Sequence, residues 1–530
     1  MRKSKLYIFK LLGPLAFVLF QCIEPPGGLN PVAFMLLGIT VWMAIWWVFE
    51  VVPIAVTALL PIILFPIFNI LTISETTAQY GHKFVFLYLG GFILAAAIER
   101  WNLHRRIALH IINAIGSKAS YLILGFMLST AFLSMWISNT ATTVMMLPIA
   151  IAIANQIKEQ NQSEDKSTSN FSKALMLSIA YSASIGGLAT LIGTPPNLVL
   201  AGVLENTYDI KIGFFEWMTF ALPVSLILLF ICWKYLTLVA FKLKHTKFTV
   251  GKNQVKNMIS KLGEFSYEEK VVGLVFLFAA LGWIFRGLLE KLILGLDDTI
   301  IAICAAMLLF LIPSRESGKK LLTWKEAVKI PWGIIILFGG GMALAKGFTE
   351  TGLANWIATQ ITLFEGLSMI VFMLLVATLV NFLTEVTSNL ATTAMLLPIL
   401  SPVALSFDMH PFLVMFAVTL SASCAFMLPV ATPPNAIVFG SNYLKVSDMV
   451  KKGFLMNIIS IIVITLAVYY YMPIVFGLDS LSFPRSLKIG AGIKNKYESS
   501  FLIWVLTSVF IYDIGHFNFT KCSMTSGSTI

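Results

Sequence analysis

Four short polar stretches interrupt the most apolar parts of this sequence, and they form two matching pairs. The first pair is Ser138-Asn139-Thr140 and Ser388-Asn389-Leu390. The second pair is the tetrapeptide Thr-Pro-Pro-Asn, which occurs at residues 194–197 and again at 432–435. Ser, Thr and Asn side chains both donate and accept hydrogen bonds. Irregular backbone at membrane depth persists only where it is buried in protein or lines an aqueous cavity, so these stretches predict a binding site.

The chemistry that these stretches support is the binding of an anion beside a cation. A helix that begins at a polar stretch points its free N–H groups and its positive dipole end at the cavity, which suits a carboxylate. Pro195-Pro196 and Pro433-Pro434 each remove two consecutive backbone donors and cannot continue the preceding helix, so carbonyl oxygens are released. Gly193 and Ala431 are small enough for an ion to approach the backbone. Carbonyl, Ser and Asn oxygens suit Na⁺.

The charge balance of these stretches also favours a cation. None of the four contains Lys or Arg. A divalent anion held by neutral donors in a low-dielectric cavity is costly, so we expect either bound Na⁺ or a lysine such as Lys83 or Lys346 to neutralise it. The alternative is that the polar residues only pack at buried helix kinks. Packing explains one interruption better, but four paired interruptions favour a site.

The composition indicates a membrane protein. Of 530 residues, 58% are hydrophobic and 12% are charged, whereas soluble proteins carry about 25% charged residues. Apolar segments of about 17–25 residues, long enough to cross a bilayer, recur throughout the chain. The net charge of +11 lies mainly in short loops between these segments, which is typical of cytoplasmic loops and not of a nucleic-acid-binding face. The five cysteines form no metal-binding or disulfide pattern.

Placing the basic loops on the cytoplasmic side determines the expected topology. Residues 120–156 and 366–406 must then be re-entrant hairpins, while 174–203 and 411–440 are broken helices. The remaining segments give eleven transmembrane helices, with the N-terminus in the cytoplasm and the C-terminus outside. We therefore expect an all-α polytopic protein of the cell membrane.

The two halves of the chain repeat each other. Residues 138–154 and 388–404 are identical at ten of seventeen positions, at an offset of 250. The first hairpin starts from the inner side and the second from the outer side, so the repeats are inverted, which points to a central transport site. The predicted division is N-terminal helices 1–80 as part of a scaffold, a first repeat 81–240, a cytoplasmic linker 241–270, a second repeat 271–480 and an extracytoplasmic tail 481–530.

These features resemble the divalent anion/sodium symporter family of di- and tricarboxylate carriers. The resemblance covers about residues 30–480 and rests on two Ser-Asn-Thr-type tips, each followed by a Pro-Pro-Asn break. It implies an inverted-repeat fold of eleven helices, a homodimer, and a transport domain that moves against a scaffold domain like an elevator. It implies Na⁺ as the coupling ion and no organic cofactor.

The resemblance also implies which residues bind substrate and sodium. Substrate carboxylates would contact Ser138, Asn139, Ser388 and Asn389, with Thr140, Thr194, Thr432 and Pro433 nearby. The first sodium site would use Ser134, Ser138, Asn139 and Gly193, and the second would use Thr384, Thr387, Asn389 and Ala431. Leu390 departs from the motif, because the second tip lacks the hydroxyl that Thr140 gives the first.

The leading hypothesis is a secondary transporter that carries C4-dicarboxylates such as succinate, malate or fumarate with Na⁺. A sodium-independent exchanger, a citrate carrier and a sulfate carrier of the same fold are open alternatives. An enzyme is disfavoured, because the sequence has no HExxH helix, GxSxG elbow or Gly-rich phosphate loop. A channel is disfavoured because paired tips form a central site and not a continuous pore. The role of Glu385, four residues before Asn389, is open between function and structure.

Overall fold

A computed structural model describes residues 3–116, 118–160, 166–243, 251–316, 318–360, 367–406 and 409–478. Within these ranges, six helices are long and apolar enough to span a bilayer, and a further set of apolar helices has 10–17 residues. Several of the shorter helices end at the polar stretches, where the sequence predicts that helix stops. The expected all-α polytopic fold is confirmed.

The helices are numbered in chain order. The first half contains α1 (Lys3–Gln21), α2 (Pro31–Val48), α3 (Ile54–Thr57), α4 (Leu60–Ile67), α5 (Ile73–Tyr80), α6 (Lys83–Arg100), α7 (Leu103–Ile115), α8 (Ala119–Ser134), α9 (Asn139–Gln160), α10 (Lys166–Gly187), α11 (Pro195–Tyr208) and α12 (Phe214–Lys234). The second half contains α13 (Gly251–Ser260), α14 (Tyr267–Ile284), α15 (Arg286–Leu289), α16 (Asp298–Leu311), α17 (Trp324–Ala327), α18 (Trp332–Glu350), α19 (Leu353–Gln360), α20 (Met369–Thr384), α21 (Asn389–Ser406), α22 (Pro411–Ala422), α23 (Pro433–Phe439), α24 (Val446–Leu466) and α25 (Met472–Val475).

The chain leaves the helical conformation at all four polar stretches. Residues 135–138 separate α8 from α9, and residues 385–388 separate α20 from α21. Longer interruptions, 188–194 and 423–432, separate α10 from α11 and α22 from α23. The α11 and α23 helices each begin with two prolines at their first two positions, where a missing N–H is tolerated because that group has no intrahelical partner. Proline therefore determines where these two helices restart.

The segment between the two repeats is partly helical. It contains α13, which packs against α7. Arg106 of α7 is buried and donates to Glu269 at 2.8 and 3.0 Å and to the Gly263 carbonyl at 3.0 Å. These bonds fix α7 to the start of α14. Residues 244–250 of the expected linker and the whole expected tail 481–530 lie outside the described residues.

We sort most of the described helices into two groups, which meet where α18 packs against α11 and α21. The first, the hairpin group, comprises α8–α12 and α20–α24, in which α9 and α10 pack against α23, α11 packs against α21 and α22, and α12 packs against α24. The second, the frame group, comprises α2–α6, α14, α16 and α18, in which α16 packs against α6 and α14, and α18 packs against α2–α6. Each group contains elements of both repeats.

Two tyrosines join α12 to α24 at both ends of this antiparallel pair. Each helix continues into a short π-helical segment, Tyr235–Ala240 after α12 and Ala467–Tyr471 after α24. The Tyr235 hydroxyl donates to the Lys452 carbonyl near the start of α24 at 2.8 Å. The Tyr471 hydroxyl donates to the Thr219 carbonyl near the start of α12 at 2.9 Å. The end of each helix thus donates a hydrogen bond to the start of the other, so the two repeats are joined through equivalent helices.

Candidate anion and cation site

The four helices that start at the polar stretches pack in two pairs, and each pair combines both repeats. Helix α9 packs against α23, and α11 packs against α21. The Tyr443 hydroxyl, just beyond α23, donates to Asn155 Oδ1 near the end of α9 at 2.5 Å, so this pair runs in parallel. Tyr208 at the end of α11 similarly bonds to Ser401 of α21. Parallel pairs place their N-termini together, so positive dipole ends from both repeats meet beside the tips.

At the first tip, the Ser134 side chain of α8 and the Gly187 backbone of α10 lie against Asn139. The Ser134 hydroxyl donates to Asn139 Oδ1 and, at 2.7 Å, to the Ala183 carbonyl. A Cβ atom added to Gly187 would lie 2.7 Å from Asn139 Oδ1, and one added to Gly193 would lie 2.5 Å from the Gly187 carbonyl oxygen. Only glycine fits at position 193 without a shift of the backbone, and a side chain at position 187 would displace the Asn139 amide. The structure therefore brings together Ser134, Asn139 and Gly193, three of the four residues that the family resemblance implies for one cation site.

The second tip repeats this arrangement. The Thr384 hydroxyl donates to Asn389 Oδ1 at 2.8 Å and to the Ala422 carbonyl at 2.9 Å. Thr384 and Asn389 lie 250 residues after Ser134 and Asn139. Thr387 is different, because its hydroxyl bonds to the Leu383 carbonyl at 2.9 Å and to Thr392 at 2.6 Å within the same hairpin. Its side chain is thus directed into the hairpin and not towards Asn389.

The predicted substrate-binding residues differ in their exposure. Ser138, Asn139, Ser388 and Asn389 are all half-buried, so the polar heads of both tips are accessible. The Ser138 hydroxyl also accepts from the Ala141 N–H at 3.2 Å and so caps α9. Thr140 and Pro433 are exposed, whereas Thr194 and Thr432 are buried. Leu390 is buried as well, so the departure from the motif places an apolar side chain in the packed interior.

Comparison with known proteins identifies the family. The model of the sodium:sulfate symporter transmembrane region matches residues 5–478. The chain belongs to the sodium:sulfate symporter family. This finding confirms the resemblance to divalent anion/sodium symporters.

Named relatives in this symporter family are similar along most of the chain. A sodium-dependent dicarboxylate transporter, SdcS, of Staphylococcus saprophyticus is 46% identical over 476 residues, which cover 88% of this chain and 92% of the relative. SdcS of Staphylococcus aureus strain USA300 is 45% identical over 485 residues, covering 90% and 93%. With relatives of this kind, the chain is a transporter and not an enzyme.

Two solved structures share the fold at low sequence identity. MtrF of Neisseria gonorrhoeae gives a TM-score of 0.51 at 13% identity, covering 75% of this chain and 84% of that one. The YdaH transporter of Alcanivorax borkumensis gives a TM-score of 0.52 at 13% identity, covering 76% and 88%. These likenesses concern the architecture alone and agree with a helical membrane transporter.

Glu385 is a structural carboxylate in this symporter. Its Oε1 accepts from the Phe426 and Met427 N–H groups at 2.8 and 2.9 Å and from the Asn457 amide at 2.7 Å. Its Oε2 accepts from the Leu428 N–H at 2.9 Å. The side chain is 3% exposed, so its charge is compensated by these four donors. Glu385 therefore stabilises the irregular backbone of the second break.

The two lysines considered as counter-charges are paired elsewhere in the symporter. The Lys83 Nζ atom lies 2.8 Å from Glu205 Oε1 and 3.4 Å from Asp297 Oδ2. Lys346 lies 2.6 Å from Glu350 on its own helix. Both ammonium groups are thus neutralised by carboxylates, which leaves the hydroxyls, amides and backbone groups to form the site.

Sequence reasoning missed three residues of this site. Gly187 contacts Asn139, and Asn197 and Asn435 donate to carbonyls of the breaks. The asparagines end the doubled tetrapeptide, so their repetition was a signal that could have drawn attention to them. No pattern marked Gly187, because its contact is with a residue 48 positions away.

Proposed function

We propose that this protein is a secondary transporter that carries C4-dicarboxylates, such as succinate, malate or fumarate, across the membrane together with Na⁺. The observation that carries the proposal is the doubled Ser/Thr–Asn arrangement, Ser134 with Asn139 and Thr384 with Asn389, beside the starts of four helices. The sodium-dependent dicarboxylate transporters named above are similar to the chain over about nine-tenths of its length. The arrangement suits an anion beside a cation, and the relatives favour a dicarboxylate and Na⁺.

The charge of the substrate favours sodium as the co-transported ion. A dicarboxylate brings two negative charges to a site of neutral hydroxyls, amides and N–H groups. One pair of opposite unit charges ~5 Å apart gains about 3 kcal/mol at an effective dielectric constant of 20. Because Lys83 and Lys346 are paired with carboxylates, bound cations are the available source of this energy. Substrate binding therefore depends on Na⁺.

We propose as cation ligands the residues that the family resemblance implies. Ser134, Ser138, Asn139 and Gly193 form the first sodium site, and Thr384, Asn389 and Ala431 belong to the second. Thr387 is the fourth ligand of the second site, because its hydroxyl oxygen, which bonds to the Leu383 carbonyl and to Thr392, keeps a lone pair for a cation. The substrate lies between the tips and contacts Ser138, Asn139, Ser388 and Asn389, with Thr140, Thr194, Thr432 and Pro433 around it.

Uptake into proteoliposomes tests this function directly. We expect an inward Na⁺ gradient to drive accumulation of radiolabelled succinate, because the cations make the site electrostatically favourable for the dianion. Vesicles with choline in place of sodium are the control. Equally fast uptake in choline would overturn the coupling, and a requirement for dicarboxylate on the opposite side would identify an exchanger. Competition by citrate or sulfate stronger than by succinate would reassign the substrate.

We further propose that transport proceeds by movement of the hairpin group against the frame group, in a homodimer with the N-terminus in the cytoplasm and the C-terminus outside. Trp136 at the first tip packs against Phe276 of the frame at 4.9 Å between ring centroids. The corresponding residue at the second tip, Val386, is 60% exposed. In an inverted-repeat transporter, a difference of this kind between equivalent tips is expected when the protein is in one of its two alternating states.

A disulfide between the two groups tests this movement. A Cβ atom on Gly91 of α6 would lie 3.7 Å from Ile192 Cβ in the first break, a separation that a disulfide spans without strain. In a variant whose native cysteines are replaced by alanine, oxidised Gly91→Cys/Ile192→Cys is expected to lose uptake, and reduction is expected to restore it.

The matched control is a disulfide inside the frame. A Cβ atom on Gly333 of α18 would lie 3.5 Å from Ala55 Cβ of α3, and both helices belong to the frame group. Oxidised Gly333→Cys/Ala55→Cys is expected to transport normally. Uptake that persists in the fully oxidised Gly91/Ile192 pair would contradict movement between the groups.

A further inference from the structure

The asparagine that ends each Thr-Pro-Pro-Asn tetrapeptide holds the carbonyls of the break before it. The Asn197 amide donates to the carbonyls of Gly187 at 3.1 Å, Leu188 at 3.3 Å and Thr190 at 2.8 Å. The Asn435 amide donates to the carbonyls of Ala425 at 3.2 Å and Leu428 at 3.0 Å. Ala425 and Leu428 lie 238 residues after Gly187 and Thr190, which is also the offset between the two tetrapeptides. The bracing is therefore repeated.

The prolines explain why a side chain must supply these bonds. The first backbone N–H groups of a helix have no intrahelical partner and can donate to carbonyls nearby, but Pro195 and Pro196 have none. Asn197 is the third residue of α11, and its short amide reaches back over the break. Leucine has a similar volume and no donor, so packing alone does not account for asparagine at both positions.

The braced carbonyls adjoin the proposed cation ligands. The Gly187 carbonyl oxygen, which accepts from Asn197, lies against Gly193, and the Gly187 Cα lies against Asn139 Oδ1. A shift of Gly187 therefore moves both Gly193 and the Asn139 amide. The Asn197 and Asn435 side chains are fully buried, and their Oδ1 atoms have no hydrogen-bond partner. An acceptor left unpaired in the interior is unfavourable, so the contribution of each amide lies in the hydrogen bonds that its N–H groups donate.

We propose that Asn197 and Asn435 are positioning residues for sodium: their amides fix the backbone of the two breaks so that oxygens of Gly193 and Ala431 and the amides of Asn139 and Asn389 meet around the cations. This proposal rests on the proposed function. It assigns the two asparagines no contact with sodium or substrate. Their loss is expected to weaken sodium binding while the substrate contacts at the tips remain.

The test measures sodium and substrate dependence separately. In proteoliposomes, Asn197→Leu and Asn435→Leu are each expected to raise the Na⁺ concentration for half-maximal succinate uptake at least tenfold. The half-saturating succinate concentration, measured at saturating Na⁺, is expected to change less than threefold. In detergent without substrate, Na⁺ is expected to raise the Tm of these variants less than it raises that of the unmodified protein.

The control is Asn170→Leu, the same change on the preceding helix, α10. The Asn170 amide donates to the Phe241 carbonyl at 3.2 Å, within the hairpin group and away from the breaks, and normal sodium dependence is expected. If Asn197→Leu does not give monodisperse protein, Asn197→Ser replaces it in the test. Serine offers one hydroxyl donor to three carbonyls, so an intermediate increase in the half-maximal Na⁺ concentration is expected. Folded variants with sodium dependence within twofold of the unmodified protein would overturn the positioning role. Sodium-independent uptake by the unmodified protein would instead overturn the proposed function.

Discussion

Replacing either Asn139 or Asn389 with Ala is expected to reduce sodium-driven dicarboxylate uptake about 100-fold. Each amide stands at the head of a tip, where its oxygen is held by Ser134 or Thr384 and its nitrogen is available to a carboxylate. A hydrogen bond to a charged group is worth about 1.5–3 kcal/mol, and ~2.8 kcal/mol corresponds to about 100-fold. Initial uptake rates in proteoliposomes with matched protein content provide the measurement.

The control for this prediction is Asn155→Ala. Asn155 lies on the same helix as Asn139, near the opposite end, where its amide oxygen accepts from Tyr443. This variant is expected to transport at a near-normal rate. If only one of the two tip variants lost uptake while the other transported normally, the two tips would not act on one substrate, and the shared site would be wrong.

Replacing Glu385 with Ala is expected to destabilise the protein strongly and to abolish uptake as a consequence. The change removes the acceptor for the N–H groups of Met427 and Leu428 and for the Asn457 amide, whereas the Phe426 N–H keeps Asn457 Oδ1 as an acceptor. A buried donor left unsatisfied costs about 1–3 kcal/mol, so the loss is at least about 3 kcal/mol. Thermal unfolding of the purified protein should show a clearly lowered Tm.

Two further variants separate structure from transport at this position. Glu350→Ala breaks the pair with Lys346, in which Glu350 is 47% exposed, and such pairs contribute about 0–1 kcal/mol, so Tm should barely change. Glu385→Gln keeps one acceptor oxygen and is expected to lie between Ala and the unmodified protein in both stability and uptake. A Gln variant of normal Tm that no longer transports would instead assign the charge of Glu385 to transport.

The polar tips and breaks could be located from the sequence because hydroxyl, amide and proline residues stand out within apolar segments. The 250-residue offset then paired the tips, and the repeated tetrapeptide paired the breaks at an offset of 238. The structure ends helices at each of the four places. The cation residues came from the family resemblance, and the structure brings Ser134 and Thr384 to the predicted asparagines. These parts were predictable because each depends on residues close together in the chain.

The supporting contacts were not predictable, because they join distant residues. The Ala183 and Ala422 carbonyls that accept from Ser134 and Thr384 carry no side-chain signal. The different lengths of the two breaks were not predictable either. When the two repeats are aligned on their tetrapeptides, α22 ends three residues earlier than α10. Glu385 takes up the N–H groups just beyond that end. Its counterpart in the first repeat is Met135, so a difference between repeats, and not a shared motif, produces the longer break.

Equilibrium binding of radiolabelled succinate to the purified protein tests the central claim most directly, since it requires no movement of the transporter. The claim is that uncharged groups from both repeats hold one dianion only with bound sodium. We therefore predict saturable binding in Na⁺, its loss in choline of equal ionic strength, and its loss in both Asn139→Ala and Asn389→Ala. Binding of equal affinity in choline, or undiminished binding by either variant, would contradict the claim.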